Sequence, residues 1–297
     1  MNDRPCPLCG TVERSRLLAE ARLDAARFDE FAYASRKTPE YMHPRLMLCQ
    51  ACDLAYASTP HDEAALHGAY AEAAFDSGRE AALAARTYAG LLEPVVRQLR
   101  DRVGMVDIGA GDGALLREML ALGFENVAGV EPSRAPIESA SPEIRGLIRQ
   151  GVFERGMFAP RSCSLVTCFQ TIEHVADPVA LCAAAVELLK EGGALCLVAH
   201  NRRALSARLL GRRSPIYDIE HLQLFSTAAL RRLLADAGLR NISARSFWNR
   251  YPLAYWVRLF PFAKPWKTRL LRGLERSRLA SIPLALPAGN LVAWGFR

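Results

Sequence analysis

The chain has 297 residues, 51% of them hydrophobic and 23% charged, a balance that excludes a disordered or fibrous protein and suffices for one large or two ordinary domains. Its net charge of +7 hides a division, because residues 1–200 sum to −7 and residues 201–297 to +14. The basic end suits nucleic acid, an anionic membrane surface or a phosphorylated substrate, and charge alone does not choose among them.

In chain order, the opening residues MNDRPCPLCG lack the apolar stretch of a secretory signal, so a reducing, cytoplasmic setting is expected. Cys6-Pro-Leu-Cys9 and Cys49-Gln-Ala-Cys52 each set two thiols on a tight knuckle. Four soft ligands favour a closed tetrahedral zinc site, with a redox pair as the alternative. The 39-residue separation of the pairs exceeds the usual ribbon loop, and the site can still close if residues 11–48 form helices or a hairpin of their own. Residues 1–60 are therefore read as a zinc-binding segment. Residues 61–100, rich in Ala, Glu and Arg at helical spacing, are read as a helical connection.

From Val103 short apolar runs alternate with helical segments: GMVDI, ALLREMLALG, NVAGV, SLVTCF, PVALCAAAVELLKEGG and ALCLVA. This pattern predicts an α/β fold, a doubly wound parallel sheet with helices on both faces, over residues 101–297. Cys163, Cys168, Cys182 and Cys196 sit among Leu, Val and Ala and read as small core residues. The run Val106-Asp107-Ile108-Gly109-Ala110-Gly111-Asp112-Gly113 joins a buried strand to a helix through a glycine loop, where backbone can approach a ligand closely. A second strand, residues 126–130, ends at Glu131, well placed to bind ribose hydroxyls.

The D-x-G-x-G-x-G spacing with its later acid resembles the class I S-adenosylmethionine-dependent methyltransferases over roughly residues 100–240. Dinucleotide enzymes, the alternative, space their glycines G-x-G-x-x-G. The resemblance implies that Asp107, Gly109, Gly111, Asp112 and Gly113 cradle the methionine side of the cofactor and that Glu131 holds its ribose. After the strand containing Cys168 comes Phe169-Gln170-Thr171-Ile172-Glu173-His174, at the sheet end where ligands bind. Gln170 is expected beside the cofactor. His174 suits proton removal near neutral pH, or else satisfies backbone groups at the entrance of a helix capped by Asp177 and begun by Pro178. This stretch resembles the ubiquinone-type O-methyltransferases and the deoxysugar C-methyltransferases, which implies base catalysis by His174 helped by Glu173. In the quinone-type enzymes an acid three positions before the Glu joins a divalent metal site; Gln170 stands there in this chain and weakens that case. The stretch His221-Leu-Gln-Leu-Phe225-Ser226 resembles the H-L-x-x-F-S segment of these enzymes, so His221 faces substrate or pins its loop.

The last region, about 241–288, interleaves Trp248, Tyr251, Tyr255, Trp256, Phe260, Phe262 and Trp266 with Arg245, Arg250, Arg258, Lys264 and Lys267. It is read as a helical, basic lid before a final strand at residues 290–296. Contact with an anionic membrane or stacking on RNA are the other readings. The expected reaction is methyl transfer from S-adenosylmethionine to a small or lipid-linked acceptor, a sugar or cell-envelope or natural-product intermediate. A zinc-containing RNA methyltransferase is the competing enzyme, and a non-catalytic module binding zinc and S-adenosylmethionine the competing class. The expected location is the cytoplasm, with peripheral membrane contact through the basic end.

Overall fold

The computed structural model describes residues 4–24, 41–59, 78–260, 264–275 and 277–297. Strands β1 (Ser15–Ala19), β2 (Leu46–Cys49) and β3 (Ala55–Ala57) pair antiparallel near the N-terminus. Beyond them lie helix α1 (Gly78–Val96) and strands β4 (Val103–Ile108), β5 (Glu125–Glu131), β6 (Ile148–Gln150), β7 (Cys163–Phe169) and β8 (Leu189–His200). A two-residue strand, β9 (Gln223–Leu224), pairs with β3 and completes the first sheet in the order β1-β2-β3-β9. The cysteine segment is thus tied to the larger domain by main-chain hydrogen bonds.

The second sheet has the order β10-β11-β8-β7-β4-β5-β6, with β10 (Arg240–Pro252) and β11 (Pro283–Phe296) antiparallel at one side of a parallel core. Strand β7, CSLVTCF, is buried at every position. A strand covered on both faces reads as one apolar run rather than an alternation. One face packs under α1 and α2 (Ala114–Ala121), through Leu92, Met105, Leu116, Leu165 and Val292; the other packs under α5 (Pro178–Leu188) and α7 (Thr227–Asp236), through Val166, Leu188, Leu197, Leu230 and Leu233. Short helices α3 (Arg134–Ser139), α4 (Pro142–Arg145) and α6 (Leu205–Leu210) lie in the connections. Cys168, Cys182 and Cys196 are buried in these layers. Burial pushes the Cys182 thiol up to about 12, which suits packing rather than reactivity.

The basic extension differs from the helical reading. Residues 240–252 form β10, where Phe247, Asn249 and Tyr251 point inward while Trp248 and Arg250 are exposed. That period-2 burial is the signature of a strand, and a long hairpin to β11 satisfies its backbone. The final strand accordingly begins at Pro283, earlier than expected. Among the described residues of the extension, α8 (Leu253–Leu259), α9 (Lys264–Glu275) and a 3₁₀ turn (Arg278–Ser281), at the hairpin's far end, are helical. Phe262, residues 25–40 of the cysteine loop and residues 61–77 of the helical connection lie outside the described residues.

Candidate active site and metal centre

The glycine loop leaves the carboxyl end of β4 at the centre of the parallel core. Gly109, Gly111 and Gly113 have φ of 79°, 55° and 68°, left-handed values that favour glycine. At Gly109 any side chain is also excluded, since a Cβ would sit 2.0 Å from Thr171 Oγ1. Gly111 has open space above it. Its N–H donates to Glu131 Oε2 at 2.8 Å, and Ser133 N–H donates to Glu131 Oε1 at 2.8 Å. Loop and acid are therefore one unit. A carboxylate offers about four lone-pair sites, so capacity remains for a ligand's hydroxyl. Burial raises the Glu131 carboxyl against these bonds and one from the Ser133 side chain. Asp107 is buried and accepts from Thr167 Oγ1 at 2.6 Å; burial outweighs that bond and, with the charge of Glu131, raises it to about 7. Asp112 lines the same cavity, and its Oδ1 accepts from Ala114 N–H at 3.2 Å at the entrance of α2.

One continuous cavity of about 1000 Å³ runs from this loop past Gln170 and His174 to Tyr251, Tyr255 and Trp256. Its floor carries a histidine cluster assembled from three segments. His174 follows β7, where Asp177 caps α5 by accepting from Val179 N–H at 3.0 Å and Ala180 N–H at 2.9 Å. His200 ends β8. His221 is held just before β9, because the Leu222 and Gln223 N–H groups donate to the Glu173 carbonyl at 2.9 and 3.1 Å. The His221 ring lies 5.0 Å from that of His174 and 4.6 Å from that of His200, centroid to centroid.

The carboxylates pair differently from expectation. Glu173 is fully buried, and its Oε1 bonds His200 Nδ1 at 2.7 Å; Glu220 Oε2 is the carboxylate 3.4 Å from His174 Nδ1. The reason is geometric: Glu173 reaches His200 at the end of the adjacent strand β8, while the loop before β9 brings Glu220 to His174. Burial alone would raise Glu173, yet the bond from His200 and the nearby histidines hold it at about 2. His221 is lowered to about 3 by burial and by its histidine neighbours. His200 and Glu220, neither named as a site residue from the sequence, complete the cluster. The motif HLQLF placed His221 and could have drawn in Glu220 beside it, whereas His200 had no signal beyond its place at a strand end.

At the N-terminus the four cysteines converge. Cys6 Sγ lies 3.5 Å from Cys52 Sγ, and Cys9 Sγ lies 3.5 Å from Cys49 Sγ. All four sulfurs lie within 4.8 Å of one another and all are free thiols. Tetrahedral zinc with bonds of about 2.3 Å separates its sulfurs by about 3.8 Å, so the S₄ set fits that ion. Cys6 is drawn down to about 5, chiefly by its bond with Cys52 and against its burial. The knuckle is fastened to the larger domain: Asp53 Oδ1 accepts from Arg202 Nη1 at 2.6 Å and from Arg203 Nη2 at 2.8 Å.

Sheet order, glycine loop and paired acid define the class I S-adenosylmethionine-dependent methyltransferase fold. The chain belongs to the family described as "Methyltransferase domain", whose profile matches residues 79–244, more than half its length. It is 30% identical over 121 residues to a ubiquinone biosynthesis O-methyltransferase of Pseudomonas savastanoi pv. phaseolicola, covering 36% of this chain and 50% of the relative. With its counterpart from Xanthomonas euvesicatoria pv. vesicatoria the identity is 30% over 148 residues, covering 46% and 62%. The chain thus spans between 43% and 62% of the length of such curated relatives. The solved structure of the YcgJ protein from Bacillus subtilis shares the fold, with a TM-score of 0.50 and 18% identity over 71% of this chain and 98% of that one.

Proposed function

We propose that the protein transfers a methyl group from S-adenosylmethionine to a small or lipid-linked acceptor, with oxygen or carbon as the methylated atom. The observation that carries this is the single cavity joining the glycine loop and Glu131 to the histidine cluster. S-adenosylmethionine bound there supplies an electrophilic methyl group. Glu131 would hold the ribose, Gly109, Gly111 and Asp112 the methionine side, with Gln170 alongside. His174 would take the acceptor's proton as the new bond to the methyl forms, its ring oriented and its cationic form stabilised by Glu220. O-methylation of a small acceptor is also the activity of the ubiquinone-biosynthesis relatives, and the aromatic wall of Tyr251, Tyr255 and Trp256 suits an acceptor with an apolar part. A cell-envelope or natural-product sugar carried on a lipid meets both requirements. Calorimetric titration with S-adenosylhomocysteine tests the first step, and absence of binding would sink the reading.

Two further elements belong to this proposal. Zinc held by Cys6, Cys9, Cys49 and Cys52 would be structural, since a closed S₄ set leaves no open position. The C-terminal hairpin and its helices would rest on an anionic membrane from the cytoplasmic side. Phe260 and Leu286 both line the cavity and are 49% and 41% exposed, so its mouth is apolar, and the surrounding region carries the excess of arginine. Among the described residues no helix is long and apolar enough to cross a membrane.

A further inference from the structure

We propose that Glu173, His200 and His221 form a second metal centre, a two-histidine, one-carboxylate site for a divalent transition ion, open toward the acceptor side of the cavity. Three segments distant in sequence bring one donor atom each to within 4.8 Å of one another. Glu173 has no exposed surface. His200 Nδ1 lies 2.7 Å from Glu173 Oε1, to which the His200 backbone N–H also donates at 3.3 Å, whereas Glu173 Oε2 has no hydrogen-bond partner; as a ligand, His200 Nδ1 would give up any proton it holds to the incoming ion. A buried carboxylate oxygen left unpaired is costly, and a cation beside it removes that cost.

The second observation is the tautomer of His221. Its Nδ1 lies 2.8 Å from the Ile216 carbonyl oxygen. A carbonyl only accepts, so Nδ1 carries the proton and Nε2 keeps its lone pair. Metal-bound histidines are commonly fixed this way, with the second ring nitrogen donating to a backbone carbonyl. His200 and His221 line the cavity and the buried Glu173 does not, so three protein ligands would leave a coordination position on the cavity side. Nitrogen and oxygen donors with an open position suit zinc, cobalt or ferrous iron in a reactive rather than a closed site. The quinone-type resemblance implies an acid at position 170 in a metal site; Gln170 stands there, and the set proposed here does not use that position. Its role rests on the methyl-transfer reading: an acceptor hydroxyl on the open position becomes more acidic, and its proton passes to His174. Its existence does not rest on that reading.

Cobalt titration of the metal-stripped, full-length protein separates the two centres. Two equivalents are expected in the unaltered protein, one with intense thiolate charge-transfer bands and one with only weak visible bands. Cys6→Ser should lose the first set. His221→Ala and Glu173→Gln should lose the second set or weaken it at least tenfold, with circular dichroism unchanged. A single, thiolate-type equivalent in the unaltered protein, or two equivalents persisting in both His221→Ala and Glu173→Gln, would overturn the proposal. If Cys6→Ser fails to fold, the unaltered protein set against Glu173→Gln still decides. Cobalt binding is read without cofactor, so its failure and a failure to bind S-adenosylhomocysteine are separate results.

Discussion

Glu131 accepts backbone N–H groups from Gly111 and Ser133, which makes it an organiser of the glycine loop beside the ribose role proposed for it. Glu131→Ala should weaken S-adenosylhomocysteine binding by about 1.5–3 kcal/mol, the range for hydrogen bonds to a charged group; unchanged affinity in calorimetry would remove the ribose assignment. His174→Ala should lower single-turnover methyl transfer by about 10²–10⁴ while leaving cofactor affinity intact. Joint loss of binding and stability would mark that histidine as structural instead. Asp107 gives a pH signature. Its native carboxyl holds a proton to about 7, whereas an unfolded aspartate releases it near about 3.9, so the native state binds more protons between these values. Its contribution is present in full below the lower value and is lost as pH rises through about 7. Urea unfolding of the cofactor-free protein should show Asp107→Asn flattening that slope, and an unaltered slope would mean that Asp107 titrates normally.

At the scale of elements, the βα alternation was readable because buried parallel strands and amphipathic helices leave different periods. Asp177 and Ser226 stand as the caps of α5 and α7, the positions their side chains favour. Strand β10 escaped notice because cations at Arg245 and Arg250 interrupt its aromatic run, so its alternation shows only once the inward face is known. The pairing of Glu173 with His200 was hidden for another reason. It depends on β7 and β8 being neighbours, a relation of topology that local sequence does not encode. The cysteine knuckles were plain from spacing, and the pairing of β1 with β2 supplies the hairpin their closure requires. Purified protein should carry zinc on these thiols, and Cys49→Ser should release one equivalent and expose the β1-β2-β3 sheet to proteolysis. Full retention of metal in that variant would exclude the four-cysteine site.

For the whole molecule, the cavity mouth, the exposed Leu205, Leu209, Trp248 and Trp266, and the arginine-rich end all belong to the C-terminal third of the chain. Flotation with vesicles containing phosphatidylglycerol should capture the protein, and vesicles of phosphatidylcholine should not. Replacing Trp248 and Trp266, exposed on the hairpin and its helix, by Ser should reduce capture severalfold without changing cofactor affinity. Equal binding to both vesicle types, or binding to RNA in preference to either, would reject the membrane reading.

The clasp of Asp53 on Arg202 and Arg203, with β3 paired to β9, joins stretches of chain separated by about 150 residues. In polymer terms it closes one very long loop. Closure entropy grows only with the logarithm of loop length, about 0.6 kcal/mol for each doubling. The closed stretch carries β4 to β8 and the glycine loop, so its folded core is fixed in length and the weak logarithm applies to its surface connections alone. Insertions there should cost little while the register of the joint is kept.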